Sequence, residues 1–292
     1  MVRSGAPVKL TKAIIPMAGP LHRDLPLQHV TTGEGRTKRV AALHIEELLA
    51  AGMREVALVT APGTSALFSE LVREFGSAIT LHEQSEPRGF GDAVLRLERW
   101  VGEEPFILQV CDHVFVTYAP ESCTAQLLAV AEREACSVSA VQVTAESQLP
   151  YFGVVGGQRV HLSEDLYVVE TVIEKPTPTV AEVECAIPGL RLGTYLGLFG
   201  THALTPEVFR LLRARLGTLG PGQNLGLTES LAALAGREKY LALAVQGHRV
   251  DLEGPFGLLR AQLALALRGP RRDTVLSLML EEVAHTERRQ GG

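Results

Sequence analysis

The chain has 292 residues, 46% of them hydrophobic and 21% charged, a balance that supplies an ordinary globular protein with ample core. A net charge of −5 argues against a nucleic-acid binder, which needs a basic face, but leaves room for a local basic cluster that meets a small anion. No run approaches a membrane span, residues 1–11 lack an apolar signal core, and the four cysteines are scattered without C-x-x-C spacing, so a cytoplasmic, membrane-free protein with small buried thiols is expected.

The first half alternates strands and helices. The stretch AIIPM (13–17) reads as a buried strand running into Ala18-Gly19 and a loop that carries Arg23. A long polar loop leads to a helix over about 38–52, with Ala41, Ile45, Leu48 and Leu49 at helical spacing and Gly52 suited to its end. A strand at 55–60, a helix at about 64–75, a strand at 78–82 and a helix from about Gly91 follow. The almost wholly apolar run PFILQV (105–110) ends in Cys111-Asp112, and a helix at 120–134 and a strand at 137–143 complete this half. Near-continuous apolar strands between helices predict a mainly parallel sheet covered on both faces. Ligands of such sheets sit beyond the carboxyl ends of the strands, so residues 18–23, 60–63 and 111–114 should converge on one cleft.

The second half is less regular. Residues 151–176 read as two or three strands joined at Gly156-Gly157, and 191–200 as another strand. Thr205-Pro206-Glu207 opens a helix, and a helix at about 225–236, a strand at 240–247 and helices after 255 and 273 follow.

Three features carry chemistry. Asp112 and Asp251 each end a strand, where a carboxylate has no packing role. As turn or cap residues they are unremarkable, but brought together they would hold a hard cation such as Mg²⁺ against phosphate oxygens. Glu174-Lys175-Pro176 sets an acid and a base side by side at a strand end. Read alone this is more often a solvated face than a site, yet a lysine there can meet a sugar phosphate and a glutamate can accept from sugar hydroxyls.

Taken in order, the strand-Ala-Gly-loop-Arg start, EQSEPRGFGDAVL (83–95), the strand ending in Asp112, YFGVV (151–155), VIEKP (172–176), GLFGTHALTPEVF (197–209), LGLTESL (225–231) and HRVDLEG (248–254) form one succession. It resembles the sugar-1-phosphate nucleotidyltransferases, most closely the bacterial UTP–glucose-1-phosphate uridylyltransferases, over residues 12–268. The resemblance implies a Rossmann-like (GT-A-like) α/β fold with a mixed, mainly parallel central sheet and a smaller sugar-binding lobe. It also implies a nucleotide-binding half at 12–145, a sugar-binding half at 146–268, and a C-terminal helix and tail at 269–292. The implied reaction is attack of a sugar-1-phosphate oxygen on the α-phosphorus of UTP, with glucose 1-phosphate the default sugar, Mg²⁺ the cation, and a UDP-sugar and pyrophosphate the products. Carried over by position, Ala18 and Gly19 back the base and ribose, Gln84 reads the uracil edge, and Gly89 and Gly91 admit the base. Asp112 and Asp251 hold Mg²⁺, while Gly153, Glu174, Lys175 and Gly197 line the sugar-phosphate site. Arg23 clamps the triphosphate.

One segment departs from the family pattern. Where the family loop runs Ala-Gly-x-Gly-Thr-Arg, this chain has Pro20, Leu21 and His22 before Arg23, losing glycine-only backbone shapes and one N–H. The family's lysine in the following stretch has no clear counterpart, and Arg36, Lys38 and Arg39 are the candidates to substitute for it. Two functions therefore stand: a Mg²⁺-dependent uridylyltransferase, and a weakened or inactive homologue that binds a nucleotide or UDP-sugar as a regulator or subunit. The last helices are amphipathic enough for a homodimer contact or for packing on their own domain.

Overall fold

The computed structural model describes residues 9–19 and 24–290. Strand β1 (Lys12–Met17) is buried from Ala13 onward. Its side chains alternate between two apolar layers: Ala13, Ile15 and Met17 face one, Ile14 the other. A strand at the centre of a doubly covered sheet needs no polar alternation, which is why AIIPM has none. A short hairpin, β2 (His29–Thr31) and β3 (Thr37–Arg39), precedes helix α1 (Val40–Ala50). Helix α1 buries Ala41, Ile45 and Leu48. It ends where Gly52, at φ 107°, donates its N–H to Leu49, and the Met53 N–H reaches Leu48 at 3.0 Å. That pair of bonds satisfies orphan carbonyls, and the left-handed turn it needs suits glycine.

The first half continues with β4 (Glu55–Thr60), α2 (Ser69–Phe75), β5 (Ile79–Glu83), α3 (Phe90–Leu95), α4 (Glu98–Val101), β6 (Phe106–Gln109), β7 (His113–Thr117), α5 (Cys123–Glu134) and β8 (Ser137–Ala145). The second contains β9 (Val154–Arg159), β10 (Leu166–Ile173), α6 (Pro178–Glu184), β11 (Thr194–Leu204), α7 (Glu207–Leu216), α8 (Thr228–Ala235), β12 (Tyr240–Ala244), β13 (Gly247–Asp251), α9 (Gly257–Ala266) and α10 (Arg272–Gln290).

Among the described residues, nine strands form one mixed sheet in the order β5-β4-β1-β6-β11-β8-β12-β10-β9. Parallel pairing joins β5, β4, β1 and β6, and β12 with β8. Strand β11 runs antiparallel to β6, β8 and β9, and β10 to β12 and β9. The parallel character thus belongs to the first half, and the second half is largely antiparallel. Residues of α1, α2 and α5 cover one face, and residues of α3, α7 and α8 the other. Strands β7 and β13 form a separate antiparallel ribbon, whose Val114, Val116 and Val250 pack with Val30 of the hairpin and Ala261 of α9.

Several local readings change. The polar loop before α1 contains the β2–β3 hairpin, and residues 113–117, unassigned from the pattern, form β7. Gly156 and Gly157 lie inside β9 instead of at a turn. A Cβ on Gly156 would stand 2.3 Å from the Glu184 carbonyl, and one on Gly157 2.0 Å from that of Val168. The glycines admit neighbouring backbone.

Candidate active site

Two adjoining clefts open at the carboxyl ends of β1, β5 and β6. The first, about 420 Å³, is lined by Ala18, Gly19, Pro62, Gln84, Gly89 and Asn224 among others. Gln84 is buried. Its Nε2 donates to the Gly89 carbonyl at 3.1 Å and to Asp92 Oδ2 at 2.7 Å. Both partners are pure acceptors, which fixes the amide's orientation. The two amide hydrogens are thereby used internally, and Oε1 has no hydrogen-bond partner among the described residues. Arg96 Nε donates to the same Asp92 oxygen at 3.0 Å, so Gln84 is held by a charged pair behind it.

Gly89 and Gly91 have a packing role. A Cβ on Gly89, at φ 105°, would lie 2.6 Å from the Leu225 carbonyl, and one on Gly91 2.5 Å from that of Gly226. The backbone of Gly91 also donates to the Leu225 carbonyl at 2.8 Å. The close approach these glycines allow is that of the 225–226 segment, which leads into α8.

The second cleft, about 340 Å³, shares Phe90 with the first and is lined by Asp112, Phe152, Gly153, Glu174, Thr228 and Glu229 among others. Glu174 Oε2 accepts from Thr228 Oγ1 at 2.6 Å. A Cβ on Gly153 would stand 3.2 Å from that same oxygen, so glycine there leaves room for the carboxylate. Lys175 adopts φ 44° and its side chain is 55% exposed, with Nζ 4.0 Å from Glu174 Oε1. It stands beside the cleft without lining it. His202 forms part of the wall, with Nδ1 2.5 Å from Ser139 Oγ, and burial pushes its pKa down to about 4, so it is neutral near pH 7.

The ribbon brings the two aspartates together. Asp251 is register partner to His113, and the Leu252 N–H donates to the Asp112 carbonyl at 2.9 Å. Asp112 Oδ1 lies 2.6 Å from His113 Nδ1. Asp251 Oδ1 accepts from the Glu253 N–H at 2.8 Å. Asp112 is among the residues that line the second cleft and Asp251 among those of a third, and Tyr151 and Phe152 border both. Among the described residues no group of three or more His, Cys, Asp or Glu side chains is placed to hold a metal ion.

Other candidates lie apart. Gly197 lines none of these clefts; a Cβ there would meet Thr144 Oγ1 at 2.6 Å and Arg249 Nη2 at 3.1 Å. Arg23, with Pro20, Leu21 and His22, lies outside the described residues. The three loop cations are engaged by their own carboxylates: Lys38 Nζ donates to Glu46 at 2.6 Å, Arg39 to Glu70, and Arg36 lies 3.8 Å from Glu34. The pattern of the chain did not single out Asn224, Thr228, Phe152 or Arg249. Thr228 lay within LGLTESL, but nothing in that motif pointed to Glu174, its partner 54 positions away.

No helix among the described residues is long and apolar enough to cross a membrane. A model of the family described as nucleotidyl transferase matches residues 19–247. The UTP–glucose-1-phosphate uridylyltransferase of Streptococcus pyogenes is 30% identical over 290 residues, covering 90% of this chain and 91% of that protein. Among solved structures, a UDP-glucose pyrophosphorylase complexed with UDP-glucose superposes with a TM-score of 0.69 at 22% identity, over 87% of this chain and 98% of the other. The UTP-bound enzyme of Acinetobacter baumannii gives 0.70 at 20% identity, over 93% of this chain and 99% of the other. These structural likenesses establish the mixed α/β fold.

Proposed function

From the chain's membership of the nucleotidyl transferase family, we propose that it makes UDP-glucose and pyrophosphate from UTP and glucose 1-phosphate. The observation that carries this reading is the adjacency of the two clefts, one with Gln84 at its wall and the other with Asp112 and Glu174, sharing Phe90. A base in the first and a sugar in the second would put the bridging phosphates near Asp112. The names of the relatives, which act on UTP and glucose 1-phosphate, support the choice of substrates.

Gln84 Oε1 would accept from uracil N3–H, an interaction that cytosine, lacking that hydrogen, cannot return. Glu174, oriented by Thr228, would accept from sugar hydroxyls. A phosphate oxygen of the sugar phosphate attacks the α-phosphorus, the bond to the bridging oxygen breaks, and pyrophosphate leaves with that electron pair. No covalent enzyme intermediate is needed, so the chain contributes alignment and charge. Arg23 and the exposed Lys175 are assigned to the phosphates. Asp112, just before β7, and Asp251, at the end of its partner β13, are assigned to one Mg²⁺. That ion characteristically takes one or two protein carboxylates and completes its shell with phosphate oxygens and water, so a pair is a sufficient donor set. When bound, it would neutralise charge that develops on the phosphates.

On this reading residues 12–145 serve the nucleotide and 146–268 the sugar, each half lending a wall to the other's cleft through Asn224 and Phe90. The four free cysteines suit a reducing cytoplasm. Leu278, Leu280 and Val283 of α10 are exposed and offer a homodimer contact. The test is pyrophosphate release from UTP plus glucose 1-phosphate with Mg²⁺, in the wild type and in Asp112→Asn. Turnover lost in the variant supports the enzyme. UDP-glucose binding without turnover in the wild type overturns it in favour of a regulator.

A further inference from the structure

Asp112 is anchored through its backbone and through its side chain. Its carbonyl accepts from the Leu252 N–H at 2.9 Å, and its Oδ1 lies 2.6 Å from His113 Nδ1. An ionised carboxylate only accepts, so the hydrogen is on Nδ1 and the imidazole is the donor. Asp251 Oδ1 is pinned in a similar way by the Glu253 N–H at 2.8 Å. A backbone amide thus holds Asp251, whereas a side chain holds Asp112.

Hydrogen bonds between chain neighbours are common in turns, and many only shape the turn. Three observations set this one apart. Both side chains are largely covered, His113 at 13% exposure and Asp112 at 17%. The imidazole packs at a tilt on Phe152, a ring from another segment, with centroids 5.9 Å apart. His113 is also the residue that stands opposite Asp251 in the β7–β13 ribbon. One residue therefore bonds one carboxylate through its side chain and pairs with the other in backbone register. Its far nitrogen, Nε2, is buried with no partner among the described residues. Turning the ring over would put Cδ2 in the place of Nδ1 and forfeit the charge-assisted bond, which fixes a single orientation.

We propose that His113 is a positioning residue for the metal: by gripping Oδ1 it fixes the plane of the Asp112 carboxylate and so the direction in which that carboxylate meets the ion. The proposal rests on the reading that Asp112 and Asp251 share one Mg²⁺. Without the donor the carboxylate is free to turn about its Cβ–Cγ bond, and the ion itself must then impose the orientation that His113 supplies in advance.

Electron paramagnetic resonance of Mn²⁺ titrated into the full chain with UDP-glucose tests this. His113→Leu keeps an apolar side chain against Phe152 but removes the donor, and should weaken Mn²⁺ binding about 10- to 100-fold. His113→Asn carries an amide N–H where Nδ1 stood and should restore the affinity to within about threefold of the wild type. In steady-state kinetics His113→Leu should need more Mg²⁺ for half-maximal turnover, while kcat at saturating Mg²⁺ holds. Should His113→Leu fail to fold, His113→Gln takes its place, because its amide reaches the Nε2 position and leaves Asp112 without the donor. Wild-type Mn²⁺ affinity in His113→Leu or His113→Gln overturns the proposal, as does His113→Asn binding as weakly as His113→Leu. The two failures are distinguishable. If the shared-metal reading is wrong, the wild type binds no Mn²⁺ or Asp112→Asn binds it unchanged. If only the role of His113 is wrong, Asp112→Asn loses the ion and His113→Leu keeps it.

Discussion

Replacing Gln84 removes its bonds to the Gly89 loop and to Asp92 together with the base-reading role proposed for it. In Gln84→Ala the Gly89 carbonyl loses a bond of 3.1 Å and the Asp92 carboxylate one of 2.7 Å. A neutral bond is worth about 1 kcal/mol and one to a charged group about 1.5–3, so the variant should lose about 2–4 kcal/mol of stability. The acceptor proposed to meet uracil is lost as well, another ~1.4 kcal/mol, or about tenfold in the Kd for UTP. Gln84→Glu makes a sharper case. It sets a second carboxylate against Asp92 where an amide donor stood, and two carboxylates so close cannot both ionise. The folded-state pKa of the new group is raised, so stability is greatest at acid pH and falls as pH rises through that value. Urea denaturation across pH and calorimetry with UTP and CTP check both effects. Wild-type affinity for UTP in Gln84→Ala, or no added pH dependence in Gln84→Glu, would contradict these roles of Gln84.

Gly91→Ala should lower the melting temperature by ~5 °C, because its Cβ would stand 2.5 Å from the Gly226 carbonyl and 2.9 Å from Leu212 Cδ2. An unchanged scanning-calorimetry midpoint would contradict that packing. Thr228→Val keeps the shape but removes the bond to Glu174, so the KM for glucose 1-phosphate should rise about tenfold while that for UTP holds, in steady-state kinetics. A rise in the UTP KM instead refutes the placement of Glu174 in the sugar cleft. Burial lowers His44 and His202 from 6.5 to about 4. Their stabilising neutrality is complete above pH 6.5 and lost as pH falls towards 4, by about 3 kcal/mol each. Burial raises the Glu47 carboxyl and gives it the opposite sign, losing stability as pH climbs through its raised value. Denaturation midpoints between pH 4 and 7 should therefore fall on acidification, and a flat profile sinks the assignment.

Much of the sheet is legible in the chain because burial on both faces leaves a continuous apolar run, as in β1 and β6. Gly52 marked the end of α1 because few residues other than glycine take its left-handed turn easily. The β2–β3 hairpin stayed hidden because only Val30 among its strand residues is fully buried, so no two-residue alternation arises. Strand β7 is hard to see because Cys111-Asp112 closes the apolar run before it and only Val114 and Val116 of its own residues are fully buried. The candidate site divides the same way. Asp112 and Asp251 stood out as carboxylates ending strands, and the β7–β13 ribbon does bring their backbones together. The clefts they line share Tyr151 and Phe152, residues contributed from elsewhere in the chain. Arg249 shows the limit most clearly. An arginine inside a strand reads as solvated until a distant aromatic ring is found stacked on it.

Electron paramagnetic resonance of Mn²⁺ titrated into the protein with UDP-glucose tests most directly the proposal that Asp112 and Asp251 share one metal ion. One tightly held ion per chain is predicted, lost in Asp112→Asn and lost equally in Asp251→Asn. Wild-type Mn²⁺ binding in either variant would contradict it.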